Sequence, residues 1–110
     1  MINERIERIE AAVNDSTSIP ESTRRELAAL LADLKAEVAP LNETHGADAQ
    51  SIAGFTDASV HEAMRTEKKP ELADAALKGL ASSARGFEVS HPRLVAVIDR
   101  IALTLSNMGI

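Results

Sequence analysis

Apolar residues in this chain return at alternating steps of four and three, and that rhythm limits the fold more than any other property of the sequence. It is clearest near the end, where Leu94, Ile98, Ile101, Leu105 and Met108 follow one another at steps of four, three, four and three. On a 3.6-residue helix such positions share one face, the pattern of rods packed side by side. Val95, Val97 and Ala102 widen the face, while Leu103 projects opposite it as a candidate for a further contact. Start and stop signals agree with a helix between Ser90 and Ile110. Ser90 is an N-cap residue type, Pro92 sits where an early helical N–H has no partner, and Gly109 can close a Schellman cap that folds Ile110 onto Leu105.

The same rhythm recurs upstream. Ile2, Ile6, Ile9 and Val13 mark a first helix capped by Asn3, with Glu4 one turn before Arg8. Ser18-Ile19-Pro20-Glu21 reads as a capping box opening a second helix to about Ala39, where Leu27, Leu30, Leu31, Leu34, Val38 and Leu41 form the stripe and Pro40 ends it. A loop over 40–47 is expected next. Asp48 then caps a third helix to about Lys68, whose apolar members Ile52, Phe55, Val60, Ala63 and Met64 are irregular and which has Gly54 inside it. A fourth helix from Pro70 to about Phe87 carries Ala73, Leu77, Leu80, Ala84 and Phe87, beside small residues that let a neighbour approach closely.

No segment alternates as a strand does, so the expected class is all-α: an antiparallel bundle of four to five amphipathic helices in a single domain, 1–110. Within it an N-terminal hairpin spans 2–39, and the helical C-terminal part spans 48–110. The expected core is Leu27, Leu31, Leu34, Leu77, Leu80, Phe87, Leu94, Ile98, Ile101 and Leu105. Composition makes that core thin, because the 110 residues include two Phe and no Trp or Tyr. Alanine contributes little apolar area, and association between chains would enlarge the core. A homo-oligomer is therefore expected, a dimer first, with Ile2, Ile6, Ile9 and Val13 as its interface because a short helix with a one-residue stripe is marginal alone.

Charge and composition narrow the function. The formal charge of −5 opposes nucleic-acid binding, which depends on Lys and Arg neutralising phosphates. Without cysteine there is no disulfide, thiol nucleophile or thiolate metal site. No apolar run approaches the roughly 20 residues that span a bilayer and no leader pattern opens the sequence, so a cytoplasmic protein without membrane contact is expected.

The three histidines are the candidate sites. Glu88-Val89-Ser90-His91 contains one Glu-x-x-His, whereas di-iron bundles need two copies and further carboxylates. His61-Glu62-Ala63-Met64-Arg65 has Arg65 where a zinc-protease helix needs its second histidine. His45, before Gly46, reads as a turn residue. No nucleophile elbow or phosphate-cradling glycine loop occurs, and Gly54 and Gly79 are expected to serve packing. The expectation is a non-catalytic interaction protein with no cofactor or metal. Two alternatives stand beside it: a metal-dependent or small-molecule enzyme using His61, His91 and carboxylates, and a regulator or adaptor binding an unidentified protein.

Gly86-Phe87-Glu88-Val89-Ser90-His91-Pro92-Arg93-Leu94-Val95 and Leu103-Thr104-Leu105-Ser106-Asn107-Met108-Gly109-Ile110 resemble the closing signature of a bacterial family, domain of unknown function family 4404. Ser51-Ile52-Ala53-Gly54-Phe55 and His61-Glu62-Ala63 resemble segments of its longer members, and the likeness is strongest over the C-terminal quarter. The resemblance implies a short helical protein. It supplies no catalytic residue.

Overall fold

The computed structural model describes residues 2–108, and these form five helices and no strand. They are α1 (Ile2–Asp15), α2 (Glu21–Thr44), α3 (Gly46–Ala63), α4 (Pro70–Ser83) and α5 (Pro92–Ser106). Successive helices run antiparallel, so α1, α3 and α5 point one way and α2 and α4 the other. Side-chain contacts fix the directions. Lys35 of α2 meets Glu7 and Glu10 of α1, Thr104 of α5 meets Glu26 of α2, and Arg5 of α1 lies by Asp57 of α3. Three triangular cores result: α1–α2–α3, α2–α3–α5 and α3–α4–α5. One continuous cluster of buried side chains links them.

α3 packs on all four other helices, which accounts for its irregular pattern. A rod enclosed on several sides has no single apolar stripe, and it needs small side chains so that its neighbours can approach. Ala49, Ile52, Ala53, Thr56, Ser59, Val60, Glu62 and Ala63 are its buried members. Burial of the Thr56 hydroxyl is offset by a 2.7 Å hydrogen bond donated to the Ile52 carbonyl. Gly54 lies inside the continuous helix, and a Cβ there would meet only the Arg5 guanidinium, in ordinary contact at 3.6 Å. Gly79 of α4 does serve close packing, because a Cβ there would overlap the Phe55 ring.

The helix boundaries depart from the sequence reading at several points. Asn3 lies inside α1, which begins at Ile2, and Ser18 makes no cap: α2 starts after Pro20 with no side-chain bond at its N-cap. Pro40 does not end α2, and there is no loop over 40–47. The helix continues to Thr44 and only His45 separates it from α3. Ending at Pro40 would have withdrawn Leu41 from the core, where it is buried, while Pro40 itself faces solvent and forfeits one hydrogen bond there. Asp48 is a first-turn residue of α3, favourable to the helix dipole, and His45 holds the N-cap. α3 stops at Ala63, five residues before Lys68, and the Lys68 ammonium returns to cap the Ala63 carbonyl. α4 stops at Ser83, since the chain reverses at Gly86 with φ +99°, a conformation that favours glycine. Ser90 does not cap α5 either; His91 occupies the N-cap, and Pro92 opens the helix. Gly109 and Ile110, with their expected Schellman cap, lie outside the described residues.

Leu27, Leu31, Leu34, Leu80, Phe87, Leu94, Ile98, Ile101 and Leu105 are buried, and Leu77 is partly buried against them. Ile2, Ile6, Ile9 and Val13, assigned from the sequence to an oligomer interface, are buried in the single chain, where α1 packs on α2 and α3. The physical reason is supply: α2 and α3 offer a groove whose leucines and alanines complete that stripe, so nothing of it is left for a second copy. Truncating Ile6 to Ala is therefore expected to cost about 2–5 kcal/mol in urea unfolding. Glu at both Ile6 and Ile9 should unfold the chain, whereas an interface role would lower its mass in solution and leave its helicity intact.

Across the α1–α2 seam, Lys35 Nζ is 3.0 Å from Glu10 Oε1 and 3.6 Å from Glu7 Oε2. The hydrogen bond to Glu10, with the charges of Glu10 and Glu7, outweighs desolvation and raises the Lys35 pKa above the ordinary 10.5. A raised pKa in the folded state means stabilisation that is full below the unfolded value and fades as pH climbs through the folded one. The stability deficit of Lys35→Gln, followed by urea titration, should hold constant through neutral pH and shrink only above the ordinary lysine value.

Candidate functional site

The entries into α3 and α5 are built alike. Because α3 and α5 run parallel, their N-termini lie at the same end of the bundle, and each is entered through a hydroxyl residue followed by histidine: Thr44-His45-Gly46 and Ser90-His91-Pro92. His45 has φ −135° and ψ 57°, and His91 has φ −137° and ψ 63°. In both turns the histidine N–H donates back to a carbonyl four residues earlier, at 2.7 Å to Leu41 and 2.8 Å to Phe87. In both, its own carbonyl accepts the first bond of the new helix, from Ala49 and from Val95. The imidazole Nδ1 then sits 2.8 Å from the preceding hydroxyl, Thr44 Oγ1 or Ser90 Oγ.

These matched turns bring the two rings together against Phe87, the three centroids forming a triangle. Centroid separations are 5.4 Å for His45–Phe87, 5.3 Å for Phe87–His91 and 6.2 Å for His45–His91, and every pair is close to perpendicular. Edge-to-face contact suits rings whose edges are positive and faces negative. Phe87, left behind by the early end of α4, is thereby the buried corner of this triangle, and the two more accessible imidazoles also face each other.

The other sequence candidates separate. His61 is exposed in the last turn of α3, on a groove of about 440 Å³ shared with Arg5, Arg8, Asp57 and Arg65. That is the far end of α3 from His91, so the two histidines named for the enzyme alternative do not converge. Glu62 is buried and ion-paired to Arg65 at 2.7 Å, which ties up the carboxylate of that motif. Glu88 turns back to accept the Gly86 N–H at 2.8 Å and shares no helix face with His91. Among the described residues no three His, Asp or Glu side chains gather at metal-binding distances. The meeting of His45 with His91 had no long-range signature in the sequence. The repeated hydroxyl–histidine–helix-start pattern, Thr44-His45 and Ser90-His91, is the local signal that could have found it.

A second feature lies on the outer face of α2 and α5. Glu26, Ala29, Leu30 and Asp33 line one side of a shallow groove of about 400 Å³, and Arg93, Ala96, Val97 and Arg100 line the other. Acid thus follows α2 and base follows α5. Leu103, at the upper end of the same face, is 62% exposed.

An all-α chain with paired capped-histidine turns and a charge-segregated helical face is what the geometry defines. The chain belongs to the family described as Domain of unknown function (DUF4404), whose model matches residues 30–110. That stretch holds most of α2, all of α3 to α5 and both histidine turns; α1 lies outside it. No curated protein and no solved structure matches the chain.

Replacing Phe87 by Leu keeps most of the volume and should cost less than about 1.5 kcal/mol. It removes the ring current felt by both imidazoles, so the His45 and His91 ring-proton NMR signals should move toward ordinary positions while those of His61 stay fixed.

Proposed function

We propose that the protein is a non-catalytic, cytoplasmic interaction protein that pairs with a second copy of itself through the α2–α5 face. The observation that carries this reading is the charge segregation around an apolar centre. Ala29, Ala96 and Val97 form the centre, exposed Leu103 lies beyond its end, and among the described residues Glu26, Asp33, Arg93 and Arg100 have no ion pair within the chain. No described helix is long and apolar enough to cross a membrane, which is compatible with this placement.

Symmetry favours one arrangement. Since α2 and α5 are antiparallel, with Thr104 beside Glu26, Arg100 stands one turn along, at a height between Glu26 and Asp33. A two-fold axis parallel to the helices preserves heights and exchanges the columns, so each Arg100 falls between the partner's acids on α2. An axis perpendicular to the helices would set acid against acid. Closed two-fold pairing is also the commonest homo-oligomer symmetry.

Size exclusion with light scattering at tens of micromolar should give twice the chain mass. Leu103→Asp combined with Arg100→Glu should halve that mass with helicity unchanged. A wild-type monomer at that concentration would count against self-association and leave the face to a different protein; a dimer indifferent to both substitutions would place the contact elsewhere.

A further inference from the structure

We propose that His45 and His91 together hold one imidazole-preferring transition-metal dication, such as Zn²⁺, Ni²⁺ or Cu²⁺, that ties the α2–α3 turn to the α4–α5 turn. Three observations on these turns support it.

The first is tautomer. The Thr44 hydroxyl lies 3.5 Å from the Leu41 carbonyl, to which it can only donate, and 2.8 Å from His45 Nδ1. With its proton directed at the carbonyl, the oxygen accepts from Nδ1–H, and the Nε2 lone pair is left for a ligand. Ser90 Oγ stands in the same relation to His91 Nδ1 and is free to accept in the same way. An oxygen acceptor on the far nitrogen is how metal-bound histidines are ordinarily oriented.

The second is spacing. Two imidazole nitrogens about 2.0–2.1 Å from a shared tetrahedral zinc put the ring centroids roughly 5.2 Å apart. The observed 6.2 Å is about 1 Å wider, a gap that rotation of the exposed His45 side chain closes. The third is access. His45 is exposed and His91 is partly so, and no third His, Asp or Glu among the described residues closes the site, so water would complete the coordination. A neutral-nitrogen pair of this kind suits Zn²⁺, Ni²⁺ and Cu²⁺ and not Mg²⁺ or Ca²⁺, which take oxygen.

The test uses the full chain and metal salts alone, with asparagine at each histidine, because asparagine is itself a favoured N-cap and should preserve both turns. Calorimetric titration with Zn²⁺ and Ni²⁺ is expected to show one ion per chain, or one per chain within a dimer, unaffected by excess Mg²⁺. His45→Asn and His91→Asn should each weaken binding by more than about tenfold, as loss of a coordinating group does, and His61→Asn should not. The ring-proton signals of His45 and His91 should respond at the same zinc concentrations, and saturating zinc should raise the melting temperature of the wild type and of neither turn variant. Thr44→Val, which removes the Nδ1 acceptor, should weaken binding several-fold. Equal affinity in all three asparagine variants, a loss confined to one of the two turns, or no heat and no signal change at millimolar zinc would each overturn the shared site.

Discussion

Enclosure of α3 is the constraint on which the rest of the structure depends. A helix that touches four others cannot be lined with large residues, since each added methylene would push apart neighbours already packed on its opposite side. Alanine, serine and threonine therefore occupy most of its buried positions, and the large side chains come from outside: isoleucine from α1, leucine from α2, and isoleucine and leucine from α5. The chain's shortage of aromatic residues is consistent with this plan. Three narrow triangular cores take branched aliphatic side chains more readily than wide rings.

Packing of that kind also determines how the chain must turn. With Leu41 buried in the last turn of α2 and Ala49 in the first turn of α3, a long connection would leave the adjoining ends of both stripes uncovered. The single residue between them, His45, is as short as a helix reversal becomes. At the other hairpin, Gly86 allows α4 to end early and Phe87 to drop into the space beneath the next turn. The two histidines meet because α3 and α5 are parallel, and parallel helices present their N-termini at a common end. Their encounter is a consequence of topology joined to a local motif used twice.

Membership of the DUF4404 family locates the matched region on the elements that surround α3 on three sides and includes both turns and the charge-segregated face. α1, outside that region, adds the fourth side. It brings its own complete stripe and the carboxylates of Glu7 and Glu10 that meet Lys35 of α2, so it docks onto the remainder with its own contacts.

Read alone, the sequence determined the helical class, the residues of the α2 and α5 stripes, the packing role of Gly79 and the exposure of Leu103. Those properties follow from periodicity and side-chain size, which are local. It misplaced the ends of helices, because Pro40, Ser90 and Asn3 were judged by intrinsic preference and the pull of the core on Leu41 and Ile2 is not local. Whether the α1 stripe faces its own chain or another, and which histidine stands next to which, were decided by tertiary structure alone. Both depend on the direction in which separate helices run past one another, and a 4-3 repeat reads the same whatever it packs against.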